Sequence, residues 1–396
     1  MQEAWQKTAL LFLMSQAVTL FGSTLVQMAV VWTITMETAS GLWVAAFSAA
    51  AYLPQFVLSL VAGAWADRWN KKWMILGADA ATALVTLAMV LTLEQAENAG
   101  VLLPALLGMT ILRSCGAGVQ TPAVQAVIPQ LVPPASRMRI NGINATMQAL
   151  VNFGAPIAAG AVLALWSLRW TLMIDVLTAL LGTTVLVFLR LPVMRPDSTA
   201  STAVLRETLR GFWKRRQLRT MLGLYGLFTI FCVPAGFLAG LFVRRTFQAS
   251  YWALSLVEVV GFVGMTFGGV LMSTWGGFRD RLRTLTLGLG LFGGLTILLG
   301  LAVRLDGYLL TMFFYGVAMT MVHVTLTTLF QESVAPDEQG RLFGLLGSIY
   351  AGALPFGMVV FGALADGVSL RGIMVVSGLA VLLAAGQTRR MFSQQR

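Results

Sequence analysis

Apolar residues in this chain run on rather than alternate. Between residues 8 and 387, long apolar stretches recur with only short polar breaks, and the stretch over 41–66 is apolar almost throughout. About twenty residues, at a helical rise of roughly 1.5 Å each, cross the hydrocarbon core of a bilayer. A strand of an outer-membrane barrel would instead alternate apolar and polar positions in segments of about ten. The pattern therefore predicts twelve transmembrane helices, over residues 9–35, 41–66, 73–93, 101–125, 141–166, 170–190, 219–243, 250–275, 284–303, 307–331, 342–365 and 371–388. Lys7 ahead of the first apolar run looks like the start of a secretory signal. The run continues for about 25 residues, however, where a signal has roughly 7 to 15, so an uncleaved first helix is expected.

Composition agrees, since 57% hydrophobic against 11% charged residues excludes a soluble globular domain. A net charge of +11 raises the question of nucleic acid, and the placement of the charge answers it. With a cytoplasmic N-terminus, most basic residues fall on the cytoplasmic side: Lys71 and Lys72, Arg137 and Arg139, the cluster from Arg206 to Arg219, and Arg279, Arg281 and Arg283. Arg169, Arg244, Arg245, Arg304 and Arg371 run against that trend. The charge thus points to a lipid bilayer and not to nucleic acid, with both termini expected inside the inner membrane. Cys115 and Cys232 both fall within predicted spans, where a small buried apolar role is ordinary.

The longest polar segment divides the chain into residues 1–190, a first six-helix bundle, a cytoplasmic linker over 191–219, and residues 220–396, a second six-helix bundle. Within the linker, 206–219 has the pattern of an amphipathic helix with Leu205, Leu209, Phe212 and Trp213 toward lipid. The halves resemble each other. The segments around Val132 to Gly142 and Val334 to Gly344 align without a gap, pairing Pro134 with Pro336, Arg139 with Arg341 and Gly142 with Gly344. Internal repeats of this kind belong to transporters built from two pseudo-symmetric bundles around a midplane site.

The residue inventory argues against ATP and against enzymatic chemistry. No lysine follows a glycine, so no Walker A loop exists. Gly288, Gly290 and Gly293 match a dinucleotide fingerprint but sit inside an apolar span, where close helix packing is the ordinary use of glycine; Gly264 and Gly268 have the same four-residue spacing as a packing motif. His323 is the only histidine and the acids are scattered, so neither a metal nor a cofactor is implied. The remaining lever is an ion gradient, carried by a carboxylate buried in the membrane. Glu258, among Leu256, Val257, Val259 and Val260, is the proton-coupling candidate. Arg113, mid-span with no acidic neighbour in sequence, needs a tertiary partner: Asp79, Asp175 or the substrate. His323 is a second candidate for substrate contact or coupling, and Asp79 and Asp175, nearer span ends, suit structural pairing. Gln27, Trp32, Tyr52, Gln148, Asn152, Tyr225, Phe228 and Tyr315 are candidates to line a cavity for an amphipathic small molecule.

With these residues in view, Gly63-Ala-Trp-Ala-Asp67-Arg68-Trp-Asn-Lys71-Lys72 resembles the signature loop of the major facilitator superfamily, matching at Gly63, Asp67, Arg68 and Lys72 and replacing a glycine by Asn70. Arg113 in Arg113-Ser-Cys-Gly-Ala-Gly118 resembles that family's fourth-helix arginine motif, and Gly154-Ala-Pro156 through Gly160 its fifth-helix glycine–proline motif. Pro122 to Pro133 with Asn141-Gly142 resembles the macrolide-efflux and enterobactin-exporter branch. The resemblance implies an all-α fold of two six-helix bundles, gating at the signature loop and proton-coupled export by alternating access. A single chain supplies both walls of such a pathway, so a monomer is expected. Export of a defined metabolite such as a siderophore, movement of a lysolipid, and a membrane sensor without transport are the alternatives.

Overall fold

The computed structural model describes residues 2–133, 136–189, 212 and 214–393. Among them there are no strands, and twelve helices are long and apolar enough to cross a membrane. This is the solution lipid permits, because a helix satisfies its backbone internally. The first six spans are α1 (Gln2–Thr38), α2 (Gly41–Arg68), α3 (Lys71–Asn98), α4 (Leu102–Leu131), α5 (Arg137–Leu165) and α6 (Leu168–Phe188). The seventh is made of α7 (Arg216–Phe231), α8 (Val233–Gly236) and α9 (Ala239–Phe247); the remainder are α10 (Tyr251–Trp275), α11 (Arg281–Leu301), α12 (Leu305–Ser333), α13 (Pro336–Gly367) and α14 (Leu370–Ser393). The fold is all-α, as the apolar runs predict; most helices extend past a predicted edge, while α6 ends at Phe188 and α11 at Leu301, two residues short of theirs.

Two expectations are corrected. The seventh span is not one continuous helix: it breaks at Cys232, where Pro234 enters at the first turn of α8 and lends no backbone donor, and again at Phe237–Leu238. At the first break the Cys232 carbonyl accepts from both the Gly236 N–H at 2.9 Å and the Tyr315 hydroxyl, which donates to it at 3.3 Å. Phe212, expected toward lipid, is instead buried, 1% exposed, with the Arg215 guanidinium 6.0 Å from its ring centre and Arg215 in turn forked onto Glu338 at 2.8 and 3.1 Å. The rest of the expected amphipathic stretch through residue 211, and Trp213, lie outside the described residues.

The chain forms two compact units. The first comprises Met1–Glu37, Ala46–Ser198 and Ser250–Ser255; the second comprises Thr38–Ala45, Thr199–Ala249 and Leu256–Arg396. In the first, α3 packs against α4 and α6. Lys72 of the signature loop reaches the end of α6, where its ammonium donates to the carbonyls of Val187 at 2.7 Å and Leu189 at 2.8 Å, a cation on the negative end of a helix. In the second unit, α11 packs against α12 and α14, and α7 against α13. Here the glycines act as the packing argument expects: a Cβ at Gly264 would stand 2.0 Å from the Phe313 carbonyl oxygen, and one at Gly293 would stand 2.7 Å from that of Gly378. Gly290 has nothing within 4 Å, so it takes no part.

Asp366, at the end of α13, organises a polar cluster of the second unit. One oxygen accepts from the Gly41 N–H at 2.7 Å, the other from the Leu42 N–H at 2.8 Å and the Ser40 hydroxyl at 2.7 Å. The carboxylate thereby caps α2, supplying acceptors for N–H groups that have none within the helix. Arg245 donates to Asp366 and to the carbonyls of Ala365 and Ala39. Ala39 has φ 45°, a left-handed conformation that costs a non-glycine residue about 1–2 kcal/mol and is held by these contacts. Of the arginines that run against the charge trend, Arg245 pairs with Asp366, Arg169 with Glu94 at 2.5 Å and Arg304 with Asp306 at 2.9 Å, so acids on the same side offset them.

Candidate functional site

The polar residues of the first unit are ordered by helical periodicity. Asp79 and Thr86 lie seven residues apart on α3, and Arg113 and Gln120 seven apart on α4, so each pair shares one face over two turns. The two helices are antiparallel neighbours, and the pairs meet as rungs about 10 Å apart. On one rung the Gln120 amide donates to Asp79 Oδ1 at 2.6 Å. On the other Arg113 donates to the Thr86 hydroxyl and forks onto Asp175 of α6, with Nη2 to Oδ1 at 3.2 Å. The Arg113 and Asp175 side chains are 10% and 3% exposed. Of the partners the sequence leaves open for Arg113, the structure brings it Asp175.

Two glycines allow this burial. Gly22 of α1 faces Asp175 so closely that a Cβ would stand 3.0 Å from Oδ1 and 2.0 Å from Thr178 Oγ1. Gly116 lets α4 approach α3, where a Cβ would stand 2.6 Å from Thr82 Oγ1. Next to it, Ser114 repairs α2. Pro54 has no N–H and its ring crowds the preceding turn. The Ser114 hydroxyl accepts from the Gln55 N–H at 2.9 Å and donates to the Ala51 carbonyl at 2.7 Å, standing between the two groups that would close that turn.

These helices enclose a cavity of about 310 Å³ within the first unit, with Thr24, Gln27, Tyr52, Gln55, Asp79, Arg113, Gln120 and Asp175 among its polar walls and Val30, Phe47 and Met109 among its apolar ones. Its charged lining residues are Arg113, Asp175 and Asp79. Arg113 and Asp175 cancel, which leaves one carboxylate without an opposite charge. Asp79 is 3% exposed, and its Oδ2 has no hydrogen-bond partner.

The structure thus gathers Gln27, Tyr52 and Arg113 at one cavity. Trp32 is buried in the core away from it, and Gln148 and Asn152 are exposed on α5. In the second unit Tyr225 meets Phe330 edge-on at 6.1 Å, while Phe228 and Tyr315 flank Phe292 at 4.9 and 4.7 Å, an aromatic packing group. Glu258 is partly buried on α10, within electrostatic reach of Tyr308, whose fully buried hydroxyl has no hydrogen-bond partner. His323 is exposed on α12. Gly63, Asp67 and Arg68 end α2, and as these three are described by their backbone alone, the expected gating contacts lie outside the described residues. Gln120, Thr86 and Ser114 are site residues that sequence reasoning passed over. The seven-residue spacings to Asp79 and Arg113 were the available signal.

The twelve spans agree with what comparison finds. A family model described as the Major Facilitator Superfamily matches residues 11–358. The chain belongs to the Major Facilitator Superfamily. It is accordingly a multi-pass membrane transporter and not an enzyme. Among its relatives are Macrolide efflux protein A of Streptococcus pyogenes, 26% identical over 385 residues and covering 93% of this chain and 92% of that one, and Macrolide efflux protein A of Enterococcus faecalis, 26% identical over 322 residues and covering 78% and 96%. Among solved structures, a mutant of the nucleoside transporter NupG superposes with a TM-score of 0.77 at 12% identity, covering 97% of this chain and 100% of that one. A bacterial homologue of the iron transporter ferroportin superposes at 0.76 and 17%, covering 98% of each. At such identities these structures speak for the major facilitator fold alone.

Proposed function

We propose that this transporter is a secondary active exporter of amphipathic small molecules, macrolide-like in class, driven by proton entry through alternating access. It resides in the bacterial inner membrane with both termini in the cytoplasm and works as a monomer. The observation that carries the reading is the charge-lined cavity inside an otherwise apolar membrane bundle, where a few placed polar groups orient a ligand and apolar walls supply area. Similarity along 93% of the chain to macrolide efflux proteins supports the substrate class. The basic loops support the orientation. Glu258, the one acid on α10, is the proposed proton carrier.

The test is flux in proteoliposomes. A radiolabelled macrolide should move against its gradient when a pH gradient is imposed, and nigericin should stop it. Glu258→Gln should abolish this driven flux while leaving ligand binding in place. Flux unaltered by nigericin would remove proton coupling, an undiminished Glu258→Gln would remove that residue, and binding without any flux would favour a non-transporting sensor.

A further inference from the structure

Asp79 is an anomaly in the first unit. It is 3% exposed, it lines the cavity, and only one of its two oxygens is engaged, by Gln120 at 2.6 Å. A buried carboxylate normally has its acceptor capacity met, since an unmet charged acceptor forfeits hydration without return. The usual remedy, a nearby arginine, is present and already committed: Arg113 spends both terminal nitrogens on Thr86 and Asp175. Among the charged residues lining the cavity, Arg113 is the one cation. One carboxylate oxygen of the cavity-lining Asp79, itself shielded from water, therefore has neither a donor nor an opposite charge, and Phe47, Val30 and Met109 supply apolar walls of the same cavity.

We infer that Asp79 Oδ2 anchors the ammonium group of a basic amphiphile, taking one charge-assisted N–H···O bond while Gln120 holds the other oxygen in place. The chemistry selects the ligand class. A secondary or tertiary amine, protonated, brings the charge and the donor that Oδ2 lacks; an anionic ligand would add a second uncompensated negative charge, and a neutral donor would meet the hydrogen bond but leave the charge uncompensated. The volume, about 310 Å³, lies at the small end of ligand sites. It thus suits an amine substituent with its adjoining alkyl groups, and a larger substrate would enter by that substituent alone. The inference deepens the export reading above by naming the feature its substrates share.

The test is equilibrium binding to the full chain in nanodiscs without any gradient, so it does not depend on transport. Two probes are compared, a dansyl-labelled hydrophobic tertiary amine and its uncharged amide counterpart. The wild type should bind the amine roughly ten- to a hundredfold more tightly than the amide, the range that a hydrogen bond to a charged group supports. Asp79→Asn should erase that preference and leave the amide unchanged, and Gln120→Ala should weaken the amine by a smaller factor. Asp79→Glu, which keeps the charge, should retain the preference and serves as the control if the Asn variant yields little folded protein. Equal affinity of the wild type for both probes, or an amine preference that survives Asp79→Asn, would overturn the inference. So would a loss in Asp79→Asn of proton uptake alone, with amine binding intact, since the carboxylate would then carry only a proton. Amine binding that depends on Asp79 without any driven flux would instead refute the export reading and leave this one standing.

Discussion

Arg113–Asp175 in the first unit and Arg245–Asp366 in the second pair the same two residue types under opposite conditions. The first pair is 10% and 3% exposed, and its groups answer mainly to each other and to Thr86. The second is 30% and 34% exposed, and its groups answer mainly to the backbone: Asp366 caps α2, and Arg245 gathers the carbonyls of Ala39 and Ala365. In the buried pair each charge exists in the membrane because the other neutralises it. In the exposed cluster water already hydrates both charges, and the value lies in helix ends that would otherwise lack partners.

The comparison is broken most severely by Asp175→Ala, which strands the Arg113 charge. We expect a loss of about 3–5 kcal/mol, seen as a collapse of folded yield and of the thermal midpoint in detergent, whereas Arg113→Met with Asp175→Leu should recover most of it because no charge is left unpaired. Next comes Gly22→Val, which drives a side chain into Thr178 and Asp175. Overpacking of this kind costs about 1–3 kcal/mol, and the same change at Gly77, which has nothing within 4 Å, should show much less in the same thermal assay. Asp366→Ala removes a cap and a partly hydrated ion pair together, for about 0.5–2 kcal/mol. Raising salt to about 1 M should shrink the Asp366→Ala difference and leave that of Asp175→Ala in place, since screening reaches exposed charges and spares buried ones. Smallest is Arg304→Gln, where both partners are about four-fifths exposed and the midpoint should not move measurably.

Helices in lipid are legible from sequence because the bilayer imposes one length and one polarity on each span. Arg113 was legible as a residue in want of a partner for the same reason: a lone cation in an apolar run must be answered somewhere. Its choice between Asp79 and Asp175 was not legible, since both are on neighbouring helices and the decision rests on how α6 rotates against α3. The break at Cys232 was hidden because one proline barely lowers the mean hydropathy of so long an apolar run, so hydropathy passes over Pro234 while the backbone cannot. Aromatic candidates such as Phe228 and Tyr315 illustrate a further limit. Size and polarity alone do not separate a residue that walls a cavity from one that fills a core, and these two meet Phe292.

Gly116 has a consequence for how such a protein changes under selection. Its hydrogen stands where any larger group would push Thr82, and with it α3, away from α4. One added methyl group there alters the reach between Asp79 and Gln120 without replacing either. On the proposed export reading, selections under a new antibiotic should therefore enrich changes at this glycine, a position that a survey restricted to ligand-touching side chains would discard as silent scaffold.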